Sequence, residues 1–295
     1  LTFRCILVSA TSMHYKNMEH GCTLYNSSME QLLNSCEIFD LALFSPPYNI
    51  GSKSKKKIGG RKVGGYDSKS FGGISDETIK PEIEYQESQK NAIRAVFSKL
   101  SRNGVCVYNH MDRLSGLKCI SPEEWLFDLQ KEGTLVIRQK LVWDKTSTHN
   151  HTRAYVSPQH EYIYVLTKPG AKIFFDKQDF FWKTDKTKSI GSVWRIPRDP
   201  KLVNKEHTAP FPLRMARQCI RMWCPPGGLV CDPYTGSGTT LVAAAQEGRR
   251  FIGSELLGRY FEIAKKRFQI EFLEGMENQK GIYGRGKPQH LHASR

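Results

Sequence analysis

Two short stretches of the 295-residue chain hold residue types at spacings that can do chemistry. The first is Ser45-Pro46-Pro47-Tyr48-Asn49, placed directly after Ile38 to Phe44, a mostly apolar run broken by Asp40 that reads as a strand. Consecutive prolines fix φ and remove two N–H donors, so the carbonyls nearby stand as acceptors with no competing donor at those positions. An exocyclic amino group on a base needs such acceptors, because its lone pair is delocalised into the ring until its hydrogens are engaged. Tyr48 adds a flat face on which a base can stack. The competing reading of the tetrapeptide is a rigid turn without a ligand.

The second stretch is Asp232-Pro233-Tyr234-Thr235-Gly236-Ser237-Gly238-Thr239-Thr240, between the apolar run Leu229-Val230-Cys231 and a helical pattern through Ala245. Glycines let backbone approach a ligand closely, and a helix start offers unpaired N–H groups. A phosphate-gripping loop needs Lys before Ser or Thr after its last glycine, and a dinucleotide fingerprint needs a third glycine; neither is present. A nucleoside-type ligand remains. Glu255, 17 residues beyond Gly238 at the end of the next strand, stands where a carboxylate accepts hydrogen bonds from both ribose hydroxyls. A structural glycine turn with a solvated Glu is the alternative.

Taken together, the two stretches resemble those of the DNA amino-methyltransferases, which move a methyl group from S-adenosylmethionine to N4 of cytosine or N6 of adenine. The resemblance covers most of residues 22–275 and includes His207-Thr208-Ala209-Pro210-Phe211-Pro212. It implies that Ser45 and the Pro46 carbonyl accept from the target amine within the rigid turn completed by Pro47, while Tyr48 stacks on a flipped base. It also implies that Asp232, Tyr234, Gly236, Gly238, Thr239 and Thr240 line the cofactor site, with Glu255 on the ribose and His207 and Phe211 near the methionine portion. The catalytic motif precedes the cofactor motif here, which is similar to the permuted β group, whose target-recognition segment lies between the two halves and in which a homodimer is a plausible assembly. A motif beginning with Ser is more typical of N4-cytosine enzymes. N6-adenine transfer and a catalytically silent methyltransferase fold that binds nucleic acid are the alternatives. Tyr234 replaces the usual Phe, and Asn26-Ser27 stands where many members have Gly-Asp, so an acid near the cofactor adenine is missing.

The elements that must position these motifs follow from the apolar pattern. Ile93, Val96, Phe97 and Leu100 share one helical face within 87–102, and Val105 to Tyr108 reads as the next strand. Ser121-Pro122-Glu123-Glu124 predicts a capping box with Pro at the first helical position, and Gly133 a stop. Strands are expected at Leu135 to Trp143, Tyr162 to Leu166 and Phe251 to Gly253. Leu213, Ala216, Ile220 and Trp223 predict a helix with Arg214, Arg217 and Arg221 on another face, and Tyr260 to Phe272 predicts a last one. This alternation argues for an α/β fold, a mixed and mostly parallel Rossmann-like sheet with helices on both faces. The expected division is a catalytic half at 1–170, a recognition segment at 171–206 without regular strand and helix alternation, a cofactor half at 207–275, and a disordered basic tail at 276–295.

Charge is concentrated. The chain has 44 basic and 29 acidic residues, and its 39% apolar content supplies a full core, which excludes a disordered or disulfide-stapled scaffold. Residues 53–65 hold Lys53, Lys55, Lys56, Lys57, Arg61 and Lys62 with no acid, and 171–206 holds nine basic against five acidic side chains, among them Lys183, Lys186, Lys188, Arg195 and Arg198. These are the candidate contacts to double-stranded DNA, whose phosphates reward clustered Lys and Arg by counterion release. Eight cysteines without a C-x-x-C pair read as free thiols of an intracellular protein, whether in bacterial cytoplasm or in a nucleus. His149-Asn150-His151 lacks further spaced ligands, so no metal site is expected. No apolar run reaches the roughly 18 residues that span a membrane. The start at Leu1, without Met, is expected of a processed or trimmed chain.

Overall fold

The predicted strands and helices assemble around one sheet. The computed structural model describes residues 14–49, 57–58, 61–62, 80–115, 118–146, 158–176, 191–198 and 211–274. A hairpin of β1 (His14–Asn17) and β2 (Cys22–Tyr25) precedes α1 (Met29–Ser35) and β3 (Phe39–Phe44). The short hairpin β4 (Lys57–Ile58) and β5 (Arg61–Lys62) comes before α2 (Glu82–Lys99) and β6 (Leu100–His110). Next come the hairpin β7 (Arg113–Ser115) and β8 (Lys118–Ile120), then α3 (Glu123–Lys131), β9 (Val136–Asp144), β10 (His160–Thr167) and β11 (Val193–Arg195). The remainder runs α4 (Leu213–Trp223), β12 (Leu229–Asp232), α5 (Thr239–Gln246), β13 (Arg250–Ser254) and α6 (Gly258–Phe268), closing in a π-helical turn, Gln269–Glu274.

The main sheet has nine strands in the order β1-β2-β13-β12-β3-β6-β10-β9-β11. All run parallel except β1 and β10. Past the register shift between Phe39 and Leu41, side chains alternate between two cores, as the period of a strand requires. Leu41 and Leu43 of β3, Val105 and Val107 of β6 and Val230 of β12 face the layer of α4, α5 and α6. Phe39, Ala42, Phe44, Cys106, Tyr108 and Cys231 face α1, α2 and α3. Both faces are covered, so these strands read as near-continuous apolar runs. The mixed Rossmann-like sheet is as expected.

Several local readings change. The strand placed at Val105 to Tyr108 continues to His110, because Asn109 and His110, though polar, are buried at its end with partners described below. Residues 171–206 contain a strand after all: β11 pairs in parallel with β9 at the sheet edge, and Trp194 and Ile196 bury into the core. The Trp194 ring in this basic segment therefore serves packing. At α3 the Ser121 hydroxyl turns to the Glu123 carboxylate rather than to a backbone N–H, so the capping box does not form, although Pro122 is helical. The chain past Gly133 turns as expected, with φ +77° at that glycine. The last helix gives way to the π-helical turn after Phe268. The unread α1 carries a true capping box, in which Ser28 Oγ accepts from Gln31 N and Gln31 Oε1 accepts from Ser28 N. The tail beyond 275 lies outside the described residues.

Candidate functional site

Chain connectivity creates the crevice. From β3 the chain passes through α2 to β6 on one side, and from β12 through α5 to β13 on the other. β3 and β12 are neighbours, so the sheet has a topological switch point between them, the place where open α/β sheets bind ligands beyond the carboxyl ends of the strands. Ser45 follows β3 and Asp232 ends β12, and the Thr240 hydroxyl at the start of α5 donates to Leu43 O at 3.5 Å. The two motifs, 184 residues apart from Tyr48 to Asp232, therefore meet at one edge.

The Ser45 turn is held from below by aromatic and charged groups of α2, β6 and β7. Ser45 Oγ donates to Tyr48 Oη at 2.7 Å, and the Tyr48 ring lies 4.3 Å from the His110 ring at 35°. One face of Tyr48 is therefore occupied by His110. His110 is fully buried, and burial lowers its pKa to about 3, so it is a neutral imidazole. Its Nδ1 donates to Met111 O at 2.7 Å, which leaves Nε2 as acceptor, 2.9 Å from Tyr85 Oη. That same hydroxyl lies 3.0 Å from Pro47 O, so its single hydrogen is shared between Nε2 and the Pro47 carbonyl. Arg113 sits 4.4 Å over the Tyr85 ring and grips Glu82 with both terminal nitrogens, at 2.6 and 3.0 Å. A bidentate pair of this kind adds geometric rigidity to a wall that must not move. Asn49 closes the far side: its amide donates to Lys80 O and accepts from Lys80 N, both at 2.9 Å.

The glycine turn is built from backbone satisfied by side chains. Glu255 accepts from Gly236 N through Oε2 and from Leu257 N through Oε1, each at 2.9 Å. Both carboxylate oxygens are engaged by backbone N–H groups, which fixes the side chain at the end of β13. Burial raises the Glu255 pKa. Asn26 Nδ2 donates to Glu255 O and Leu256 O, so the residue found in place of the usual Gly-Asp ties β2 to the loop after β13. Arg267 of α6 reaches Ser237 O at 2.9 Å and the hydroxyls of Ser237 and Thr239 at 3.1 and 3.2 Å. The Tyr234 ring lies 5.8 Å from Phe44, joining the two motifs across the switch point.

Asp232 is 1% exposed and accepts from Tyr234 N at 2.9 Å. Burial pushes its carboxyl up to about 7. From about pH 4 to about pH 7 the folded state then holds a proton that the unfolded chain has released, so this group's contribution to stability falls as pH rises through that window. Asp232→Asn is expected to remove that dependence, so that the melting temperature of the variant gains on the wild type between pH 4 and pH 7. An unchanged difference across that interval excludes Asp232 as the titrating group.

Of the other sequence-predicted residues, Phe211 is buried in the core just before α4. His207, Lys53, Lys55, Lys56, Lys183, Lys186 and Lys188 lie outside the described residues. Lys57 pairs with Lys62 and Ile58 with Arg61 in the small hairpin. Arg195 projects from β11 with its side chain 81% exposed and its Nε 3.4 Å from Asp144. Arg198 follows, half-buried. Among the described residues no cluster of three His, Cys, Asp or Glu could hold a metal ion, and no helix is long and apolar enough to cross a membrane. Sequence reading missed Asn109, His110, Lys145, Glu161 and Arg267. A polar pair ending an apolar strand, as Asn109-His110 does, was the one visible signal.

The sequence model of the DNA methylase family, N6_N4_Mtase, matches residues 39–266. Type II methyltransferase M.SmaI of Serratia marcescens is 36% identical over 152 residues, 50% of this chain and 50% of that protein. Type II methyltransferase M.ScaI of Streptomyces caespitosus is 25% identical over 276 residues, 84% of this chain and 81% of that protein. The chain spans about half the length of the first curated relatives it matches. Two solved structures share the fold. The cytosine-N4-specific PvuII DNA methyltransferase superposes with a TM-score of 0.65 at 20% identity, over 90% of this chain and 92% of that one. M1.HpyAVI in complex with SAM gives 0.59 at 18%, over 84% and 100%.

Proposed function

The chain belongs to the DNA methylase family, and on that premise we propose that it transfers a methyl group from S-adenosylmethionine to the N4 amine of cytosine in double-stranded DNA. The observation that carries this reading is the meeting of the Ser45-to-Tyr48 turn and the Asp232-to-Thr240 turn on adjacent parallel strands. A base amine and a methyl donor need that proximity, since direct transfer requires in-line approach and gains its rate from positioning.

The residues present fit the cofactor. Asp232 is a buried carboxyl that desolvation leaves about half protonated at pH 7, so a cationic ligand beside it would favour its charged form. Glu255 and the glycine turn offer carboxylate lone pairs and a closely approachable backbone, the complement of a ribose and its neighbours. Bound there, S-adenosylmethionine supplies an electrophilic methyl on a sulfonium. The chain's own residues do the rest. Ser45 and the Pro46 carbonyl engage the amine hydrogens and return lone-pair density to the nitrogen. Tyr48 presents the ring face opposite His110 to the base. Extrusion of a paired nucleotide costs a few kcal/mol, and stacking on Tyr48 offsets about 1–3 kcal/mol of it. The basic segments 53–65 and 171–206 hold the phosphates. No covalent cysteine adduct is needed, and no cysteine in the chain follows a proline.

Ser rather than Asp or Asn at the head of the turn favours cytosine. Duplex DNA incubated with the protein and S-adenosylmethionine, digested to nucleosides and read by mass spectrometry, is expected to contain N4-methylcytosine. N6-methyladenine overturns the choice of base, and an unmodified digest overturns transfer altogether.

A further inference from the structure

We propose that Glu161, held by Lys145, is a positioning residue that acts on Ser45 through Tyr48 and makes the serine oxygen an acceptor toward the substrate amine. This role rests on the amine-transfer reading above and extends it to a residue on β10, far in sequence from the turn it serves.

The argument is one of hydrogen-bond direction. Tyr48 Oη is surrounded by Glu161 Oε2 at 3.1 Å, Asn109 O at 3.3 Å and Asn109 Oδ1 at 3.4 Å. The Asn109 amide is oriented by its own Nδ2, which donates to Tyr162 O at 3.0 Å, so its oxygen and not its nitrogen faces Tyr48. A carbonyl can only accept, and so can an ionised carboxylate. Tyr48 has one proton to give, and the carboxylate is both the nearest of the three and the strongest acceptor. The Tyr48 oxygen is then left to accept, and the donor beside it is Ser45 Oγ at 2.7 Å. With its hydrogen committed to Tyr48, Ser45 turns its lone pairs to the crevice. An amine N–H meeting Ser45 finds an acceptor and not a competing donor.

Lys145 pairs with that carboxylate. Its Nζ lies 3.2 Å from Glu161 Oε1, and the two side chains are 4% and 12% exposed. The ammonium fixes the carboxylate's position, leaving its other oxygen beside the Tyr48 hydroxyl. The antiparallel run of β10 brings Glu161 to the carboxyl edge of the parallel strands, where Trp143 of β9 pairs with it one residue before Asp144.

The experiment measures kcat and KM for duplex DNA, together with calorimetric binding of S-adenosylmethionine, in wild type, Glu161→Gln, Tyr48→Phe and the double variant. A Gln at 161 can donate to Tyr48 and release the Ser45 hydrogen into the crevice; Phe at 48 keeps the ring and cuts the same chain. Each single variant is expected to lower kcat about tenfold to a hundredfold, the scale of a misplaced reacting group, with KM and cofactor affinity unchanged. The double variant is expected to lose no more than the larger single effect, because both act through one chain. Wild-type kcat in either single variant, losses that multiply, or an effect confined to KM or cofactor binding overturns the role. If Glu161→Gln loses cofactor binding, Tyr48→Phe alone decides it. The wild-type digest separates the two readings: methylated amine with an unaffected Glu161→Gln removes only the role of Glu161, whereas no methylated amine removes the transfer reading and this role with it.

Discussion

Ser45→Ala is expected to lower methyl transfer by roughly 10²–10³-fold while leaving S-adenosylmethionine binding intact. That scale is the one measured when a single preorganised hydrogen-bond partner of a reacting group is removed, about 2.7–4 kcal/mol of transition-state stabilisation. The substitution deletes the acceptor and opens little space, because Ser45 is only half-buried and the backbone of the turn is set by Pro46 and Pro47. It also leaves Tyr48 Oη without its donor, with Glu161 and Asn109 still accepting around it. Single-turnover transfer of a labelled methyl group, beside a calorimetric cofactor titration, reads both quantities. Undiminished transfer by Ser45→Ala would falsify the assignment of the serine as acceptor.

Gly238→Ala carries the second large effect, and it falls on the cofactor half. Gly238 has φ +87°, in the left-handed region, and a Cβ placed there meets Ala264 Cβ at 2.9 Å and Ala264 Cα at 3.0 Å. The backbone strain is about 1–2 kcal/mol for a residue with a Cβ, and overpacking against a buried helix about 1–3 kcal/mol. The turn relieves both by moving away from α6, which withdraws the Ser237 and Thr239 contacts to Arg267. Cofactor affinity is expected to fall tenfold or more, since about 1.4 kcal/mol already corresponds to that factor. Pairing Gly238→Ala with Ala264→Gly removes the Cβ–Cβ contact but neither the 3.0 Å approach to the backbone Cα of residue 264 nor the φ strain, so the double variant is expected to recover affinity only in part. Full recovery would assign the whole effect to packing, and wild-type affinity in the single variant would show that the turn is dispensable.

Much of this molecule was legible before any coordinates. β3, read from Ile38 but starting at Phe39 because Ile38 is exposed, and the run Leu229 to Cys231 are largely apolar on both faces because both faces of the sheet are covered, and each ends in a motif whose residue types suit a base amine or a nucleoside. The helix of Leu213, Ala216, Ile220 and Trp223 declared itself by period. Other elements did not. β1 and β2 are four-residue strands, β1 with no buried position, so they carry little alternation to read. Trp194, an aromatic among basic neighbours, reads from composition as part of a recognition surface, because composition does not distinguish an aromatic that stacks on a base from one that buries at a sheet edge.

By itself, the sequence determined what is local: strand followed by Pro-Pro turn, strand followed by glycine turn, and the order of the two, since backbone stiffness and apolar period act over a few residues. Only the tertiary structure decided which groups surround the serine. Tyr48 meets Asn109 across 61 residues of sequence and Glu161 across 113. Those meetings depend on β3 lying beside β6, and on β10 running antiparallel so that its first residues arrive at the edge where the other strands end. Strand order and direction are set by how the two cores pack, a balance summed over the whole sheet, and no spacing within a single motif encodes it.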